Sequence, residues 1–191
     1  IQIPDHITLE NKEYRIIGIK GSGLLSMQDF GVSPSARVEY CWRGFYIDYA
    51  LVENCLLATQ LTVMGRVDDY VDDIAPQPVH YCEADWCATI WSGLQRSVAF
   101  TGNLLIGRSV LPKLYMRTGF QKPLAFRQVW ELGFKEGVLQ HISDISHQMT
   151  LQRNTIDHAT LAQQNIVPSD KSQETWQQYK FSLKYDAWWL N

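Results

Sequence analysis

The chain has 191 residues, of which 46% are hydrophobic, and this length and composition predict one domain with a sizeable core. Its 17 basic and 20 acidic residues give a formal charge of -3, which argues against nucleic acid as a partner because that partner needs clustered positive charge. No apolar run approaches the roughly 18 residues that cross a bilayer, and residues 1–14 lack the basic start and apolar centre of a secretion signal. We therefore expect a soluble, cytoplasmic protein with no membrane partner, although a secreted protein whose signal has been removed would have the same features.

Paired strand-like runs dominate the first third of the chain. Residues 6–9 and 14–20 predict a hairpin with its turn at residues 10–13. Residues 38–51 and 55–64 predict a second hairpin, whose loop is residues 52–54. We expect a register that pairs Leu51 with Cys55 and Tyr49 with Leu57, because it gathers one continuous apolar face.

Later segments add strands and one helix. Residues 126–134 and 138–142 predict a third hairpin around a three-residue loop that ends at Gly137, and residues 98–106 predict a strand with a bulge at Gly102. Helical spacing of apolar residues predicts a helix over about 143–163, capped by Ser143. Strict alternation predicts a final strand over about 178–186. The fold class expected is mainly β, with α+β as the alternative: a single-domain antiparallel β-barrel or β-sandwich built from hairpins.

Arg43 is a permanently charged residue in the most apolar run of the chain, residues 41–51. In the expected register it points toward the core, where a guanidinium requires an acceptor, and Glu39 lies two pleats away on the same face. One interpretation is a structural ion pair. The other is a ligand-binding site for an anion at the mouth of a barrel, lined by Arg43, Trp42, Tyr46 and Tyr49.

Residues 66–97 form a predicted long acidic and aromatic loop insertion, in which Pro76 and Pro78 disfavour regular structure. Its functional interpretation is a surface that binds a basic partner, because acidic side chains attract positive ligands. A merely solvated acidic run is the alternative. The predicted partner-binding residues are Asp68, Asp69, Asp72, Asp73, Glu83, Asp85 and Trp86.

Residues able to do acid–base chemistry cluster near the predicted helix. They are His141, Asp144, His147, Asp157 and His158. No nucleophile elbow, phosphate loop, dinucleotide fingerprint or zinc-protease motif accompanies them. Cys82 and Cys87 lie near His80, and this spacing leaves a metal site, a local disulfide and two free thiols open. We predict no metal and no cofactor.

The sequence thus leads to three functional hypotheses. The first is a non-catalytic binding protein, of the kind of a small bacterial immunity or inhibitor protein, that engages a basic macromolecular partner through the acidic loop and aromatic surface. The second is a barrel that binds a small anionic ligand at Arg43. The third is a hydrolase-like enzyme that uses histidine and aspartate from residues 141–158.

Overall fold

A computed structural model describes residues 1–81, 86–155, 178 and 180–185. It confirms a mainly β fold: within these residues nine strands form one sheet, and the longer of the two α-helices with defined bounds follows the last strand. The strands are β1 His6–Leu9, β2 Lys12–Ser22, β3 Phe45–Val52, β4 Cys55–Met64, β5 Gln77–Tyr81, β6 Trp86–Ser97, β7 Thr101–Val110, β8 Phe126–Lys135 and β9 Val138–Asp144. The α-helices are α1 Met27–Phe30 and α2 Ser146–Thr155, and two 3-10 turns cover Pro112–Leu114 and Pro123–Ala125.

The sheet closes on itself. Its strand order is β3-β1-β2-β7-β8-β9-β4-β6-β5, and β3 also pairs with β4, which completes a ring of seven strands. The pairing of β1 with β3 is parallel, whereas the other strand pairs are antiparallel. Strand β4 meets β9 only at Cys55 and Val138 and pairs with β6 from Leu57 onward, so β6 continues the wall of the ring where β9 leaves it, and β5 is the edge strand beyond β6.

Large apolar side chains fill the interior of the ring. The fully buried residues of this core include Ile7, Ile47, Leu61, Trp91, Leu104 and Leu132. The same cluster includes Phe30 of α1 and Val32 just after it. It also includes Val67 and Val71 from the segment that follows β4. The described interior is therefore a packed core.

A second apolar cluster lies on the outer face of β2, β7 and β8. Two residues cover it: Ile145, just before α2, and Met149, in the first half of α2. They pack against Ile17, Leu105 and Val129. The helix begins at Ser146, later than the predicted start at residue 143, because residues 143 and 144 still pair with β8 as part of β9. Residues 156–163 of the predicted helix lie outside the described residues.

The hairpin turns are shorter than the sequence suggested. Three hairpins have a two-residue turn in which both residues have positive φ, a conformation that matches the strand twist. The turns are Glu10-Asn11 (φ 50° and 59°), Glu53-Asn54 (50° and 65°) and Glu136-Gly137 (48° and 81°). Val52 consequently pairs with Cys55, and Tyr49 pairs with Ala58. The predicted pairings of Leu51 with Cys55 and of Tyr49 with Leu57 are wrong by one residue, and a bulge after Asp48 shifts the register once more.

Two further segment predictions require correction. The predicted loop over 66–97 contains β5 and β6, and the segment between β4 and β5, residues 65–76, forms a loop, hereafter the acidic loop. Pro78 is compatible with β5 because β5 is an edge strand. The predicted strand over 178–186 is reduced to one parallel bridge between Ile19 and Lys184, since Gln178 and Lys180 are helical; residues 179 and 186 lie outside the described residues.

In the part of the chain that the structure describes, no helix combines the length and apolar character needed to cross a bilayer.

Candidate functional site

Arg43 lies in the turn before β3 rather than inside a strand, and its partner is Asp5. Its Nη2 donates to Asp5 Oδ1 at 2.8 Å and its Nη1 donates to Asp5 Oδ2 at 3.2 Å. Asp5 is only 3% exposed, and its Oδ1 also accepts the backbone N–H of Ile47 at 2.9 Å. The predicted partner Glu39 is wrong, because Asp5 arrives from the start of the chain and no pattern near position 43 indicates it.

Asp5 stabilises the charged form of Arg43. Burial acts to lower the pKa of Arg43, but the charge and hydrogen bonds of Asp5 outweigh burial, so the pKa is raised overall. Both charges are thereby compensated, and the guanidinium fork is taken up by a carboxylate of the same chain. This geometry favours the structural interpretation of Arg43 over anion binding.

The other predicted ligand-binding residues do not gather around Arg43 as a pocket. Tyr49 is 1% exposed inside the ring, and burial raises its pKa well above the usual range, so it is a neutral core residue. Tyr46 is partly buried and its ring meets His6 edge-on at 5.8 Å. Trp42, by contrast, is 55% exposed. Of these side chains Trp42 is the one most available to a ligand.

The acidic loop is fixed to the ring through its backbone. Trp91 Nε1 donates to the carbonyl of Asp69 at 3.1 Å, and Thr89 Oγ1 accepts the N–H of Val67 at 3.0 Å. Val67 and Val71 are buried in the core, and Asp72-Asp73 form another tight turn with φ of 48° and 61°. The loop therefore has a defined shape.

The side chains of this loop divide into positioned and displayed groups. Arg96 binds Asp72 through two nitrogens, donates to the carbonyl of Asp29, and lies 4.6 Å from the ring centroid of Phe30. Asp72 therefore joins the acidic loop to residues 29 and 30. Arg66 contacts Asp68 at 3.0 Å, but both side chains are largely exposed, so this pair adds little stability.

The displayed side chains of the acidic loop form one exposed group. Asp68, Asp69 and Asp73 are exposed, and Tyr70 between them is 67% exposed. Of the other predicted partner-binding residues, Trp86 begins β6, whereas Glu83 and Asp85 lie outside the described residues.

The predicted histidine and aspartate residues do not assemble a catalytic arrangement in the described part of the chain. The His141 ring covers Gly133, its cross-strand partner, where an added Cβ would lie 1.9 Å from the imidazole. Asp144 Oδ1 accepts the N–H of Ser146 at 2.9 Å, and His147 is exposed on α2. Asp157 and His158 lie outside the described residues. Neither described histidine hydrogen-bonds to Asp144.

A row of polar side chains that sequence reasoning missed crosses four neighbouring strands. His6 Nδ1 lies 3.0 Å from Asp48 Oδ1, Gln60 donates to Asp48 Oδ2 at 2.9 Å, and Ser92 donates to Gln60 at 2.8 Å. These positions are far apart in sequence, and only the final register aligns them. Because the Ser92 hydroxyl is bound to Gln60 and not to His6, the row lacks the nucleophile–base contact of a catalytic triad.

Within residues 1–81, 86–155, 178 and 180–185, no three His, Cys, Asp or Glu residues are grouped to hold a metal ion. Comparison of the chain with protein-family models, with curated proteins and with solved structures finds no match.

Proposed function

We propose that this chain is a non-catalytic binding protein, of the immunity or inhibitor type, that engages a basic macromolecular partner through the acidic loop. The observation that carries the proposal is the display of Tyr70 among Asp68, Asp69 and Asp73 on a backbone fixed to the ring. Tyrosine is enriched at energetically dominant interface positions, and surrounding carboxylates attract positive partners.

The fixed backbone matters because binding normally costs the free energy of ordering a loop. Val71 is buried in the core and Arg96 connects Asp72 to the carbonyl of Asp29, so the acidic loop is already ordered before a partner arrives. A preordered loop loses less conformational entropy on association, which raises affinity without additional contacts. These features support a recognition loop over a merely solvated acidic run.

The cysteines support a cytoplasmic site of action as part of this proposal. Cys41, Cys55 and Cys87 are free thiols, and Cys55 is exposed. Exposed free thiols are typical of reducing compartments, whereas small proteins that act outside the cell commonly pair their cysteines.

The test compares capture of proteins from native extract by three immobilised forms of the chain. These are the wild type, a variant with Asp68→Asn, Asp69→Asn, Tyr70→Ala and Asp73→Asn, and a control with Glu10→Gln, Glu53→Gln and Glu136→Gln. The control removes the same number of carboxylates from exposed turns elsewhere. Quantitative mass spectrometry should find at least one basic protein that the wild type and the control retain at low salt and the loop variant loses.

High salt should release that protein, because exposed charges are screened. Retention of the same proteins by all three forms would contradict the proposal. Loss from the control as well as the loop variant would also contradict it, since the interaction would then depend on total charge alone. Circular dichroism of each form establishes that the variants remain folded.

A further inference from the structure

A groove of about 300 Å³ lies on the surface beside Trp42 and is lined by Arg37, Val38, Glu39 and Trp42. We propose that it is a binding site for a neutral saccharide. This site is separate from the acidic loop and does not depend on the function proposed for that loop.

The backbone beneath the groove is fixed by the start of the chain. Gln2 is buried, its side-chain amide donates to the carbonyl of Glu39 at 2.7 Å, and its Oε1 accepts the N–H of Trp42 at 2.8 Å. The N–H of Ile3 donates to the carbonyl of Tyr40 at 2.8 Å, and the N–H of Cys41 donates to the carbonyl of Val38 at 3.0 Å. The walls of the groove therefore keep their spacing without a ligand, which lowers the entropic cost of binding.

Trp42 supplies an apolar surface of fixed orientation. Its ring stacks on Phe181 with centroids 4.4 Å apart and an interplanar angle of 11°, yet the residue remains 55% exposed. A stacked neighbour limits rotation of the indole, and the exposed part can pack against the C–H face of a sugar ring. An indole also carries a polar N–H, so it suits a ligand with one apolar face and one polar, hydrated face.

Arg37 and Glu39 add hydrogen-bonding groups of opposite charge. Both side chains are exposed, and in the described part of the chain neither forms an ion pair. A guanidinium only donates hydrogen bonds and a carboxylate only accepts them, whereas each sugar hydroxyl does both. Because the two charges offset each other, the groove favours a neutral ligand over an anion.

The open shape of the groove suits this ligand class. A saccharide keeps many hydroxyls hydrated, and bridging waters bind nearly as well as direct contacts, so such a ligand does not need an enclosed cavity. A free sugar and a glycan attached to a larger partner share the chemistry recognised here. Comparing a monosaccharide with its disaccharide distinguishes a site for one ring from a site that extends along a glycan.

The test is a titration of the ¹⁵N-labelled chain observed by NMR. The probes are glucose, galactose, N-acetylglucosamine and lactose, and the Trp42 indole N–H resonance is assigned from its absence in Trp42→Phe. At least one probe should shift this resonance saturably, with a Kd of about 1 mM, as expected for few contacts in an open site. Glu39→Gln and Arg37→Gln should each weaken binding by about threefold or more. Tyr115→Ala, which removes an exposed ring elsewhere, should leave the affinity unchanged.

Failure of all four sugars to move the Trp42 resonance would overturn the proposal. Equal affinity for wild type, Glu39→Gln and Trp42→Ala would do so as well, and the spectrum of each variant shows whether it is folded. If Trp42→Ala is unfolded, the two glutamine variants decide the question. Binding of N-acetylphenylalaninamide in the absence of sugar binding would assign the groove to a peptide and reject the saccharide.

Discussion

At the scale of single residues, the pairing of Arg43 with Asp5 has the largest consequence for stability. Asp5 is almost fully buried and accepts hydrogen bonds from both Arg43 and the backbone of Ile47. A buried carboxylate that loses its counter-charge remains desolvated and uncompensated. The ion pair therefore contributes more through the cost of breaking it than through the net attraction of its charges.

Arg43→Ala should lower the free energy of unfolding by about 2–4 kcal/mol, somewhat below the usual loss for a fully buried pair because Arg43 is partly exposed. Arg66→Ala is the matched control, since its pair with Asp68 is exposed, and it should cost about 0.5 kcal/mol or less. Urea denaturation at neutral pH measures both.

A double variant separates the charge from the contacts. Arg43→Met with Asp5→Asn removes both charges but keeps an acceptor for the N–H of Ile47. It should be more stable than Arg43→Met alone, which keeps the same packing but leaves the carboxylate unpaired, and the opposite order would show that the unpaired carboxylate is not the main cost of losing Arg43.

At the scale of elements, the two-residue turns set the strand register. Glu53 and Asn54 both have positive φ, and this conformation is unfavourable for glutamate but tolerated by asparagine. Because a shift of one residue exchanges the two faces of a strand, the turn conformation decides which residues of β3 point into the ring.

Glu53→Asn should raise the free energy of unfolding by about 0.5 kcal/mol, since asparagine is the preferred first residue of this turn type. Thermal melts of Glu53→Asn and wild type measure the change. Asn54→Val should have the reverse effect, because a β-branched residue strains a position with φ of 65°. A stabilising Asn54→Val would contradict the turn assignment.

Strands were the elements that local patterning predicted best. Alternation correctly indicated the hairpins of β1 with β2, β3 with β4, and β8 with β9, because alternating faces of one strand are visible within a few residues. The two-residue turn at Glu53 and Asn54 was missed because neither residue is a glycine. β5 and β6 were missed because acidic residues and Pro78 resemble a loop when the edge position of β5 is unknown.

Contacts between distant segments could not be predicted in the same way. Asp5 and Arg43 meet because β1 pairs in parallel with β3, and the His6–Asp48–Gln60–Ser92 row needs four strands in register. The exposed Asp68, Asp69 and Asp73 were correctly identified as side chains of a loop, since that judgement needed only local composition. The groove beside Trp42 depends on Gln2, which carries no sequence signal for such a role.

At the scale of the whole molecule, residues 180–185 attach the end of the described chain to the outside of the ring. Lys122 Nζ donates to the carbonyl of Ser182 at 2.8 Å, the N–H of Ile19 donates to Leu183, and Tyr185 donates to the buried Glu131 at 2.9 Å. Burial lowers the pKa of Lys122 to about 8. The folded protein thus binds this proton more weakly than the unfolded chain.

The stability of the whole domain should consequently depend on pH above neutrality. Between about pH 8 and the ordinary lysine pKa of 10.5, the unfolded chain retains a proton on Lys122 that the folded protein has lost, so this group makes stability rise with pH. Denaturant titrations at about pH 7.5, 8.5 and 9.5 measure the free energy of unfolding on either side of the lowered pKa. With increasing pH this free energy should rise less, or fall more steeply, for Lys122→Met than for wild type. Identical pH profiles would contradict the lowered pKa.

The place of Pro78 in β5 limits growth of the sheet. β5 is the terminal strand of a nine-strand order that is otherwise closed into a ring, and a proline at an edge withholds one of the N–H groups that an incoming strand would need. Addition of further chains along this border is thereby disfavoured. Replacement of Pro78 would restore that N–H group and so remove this protection from the border of the sheet.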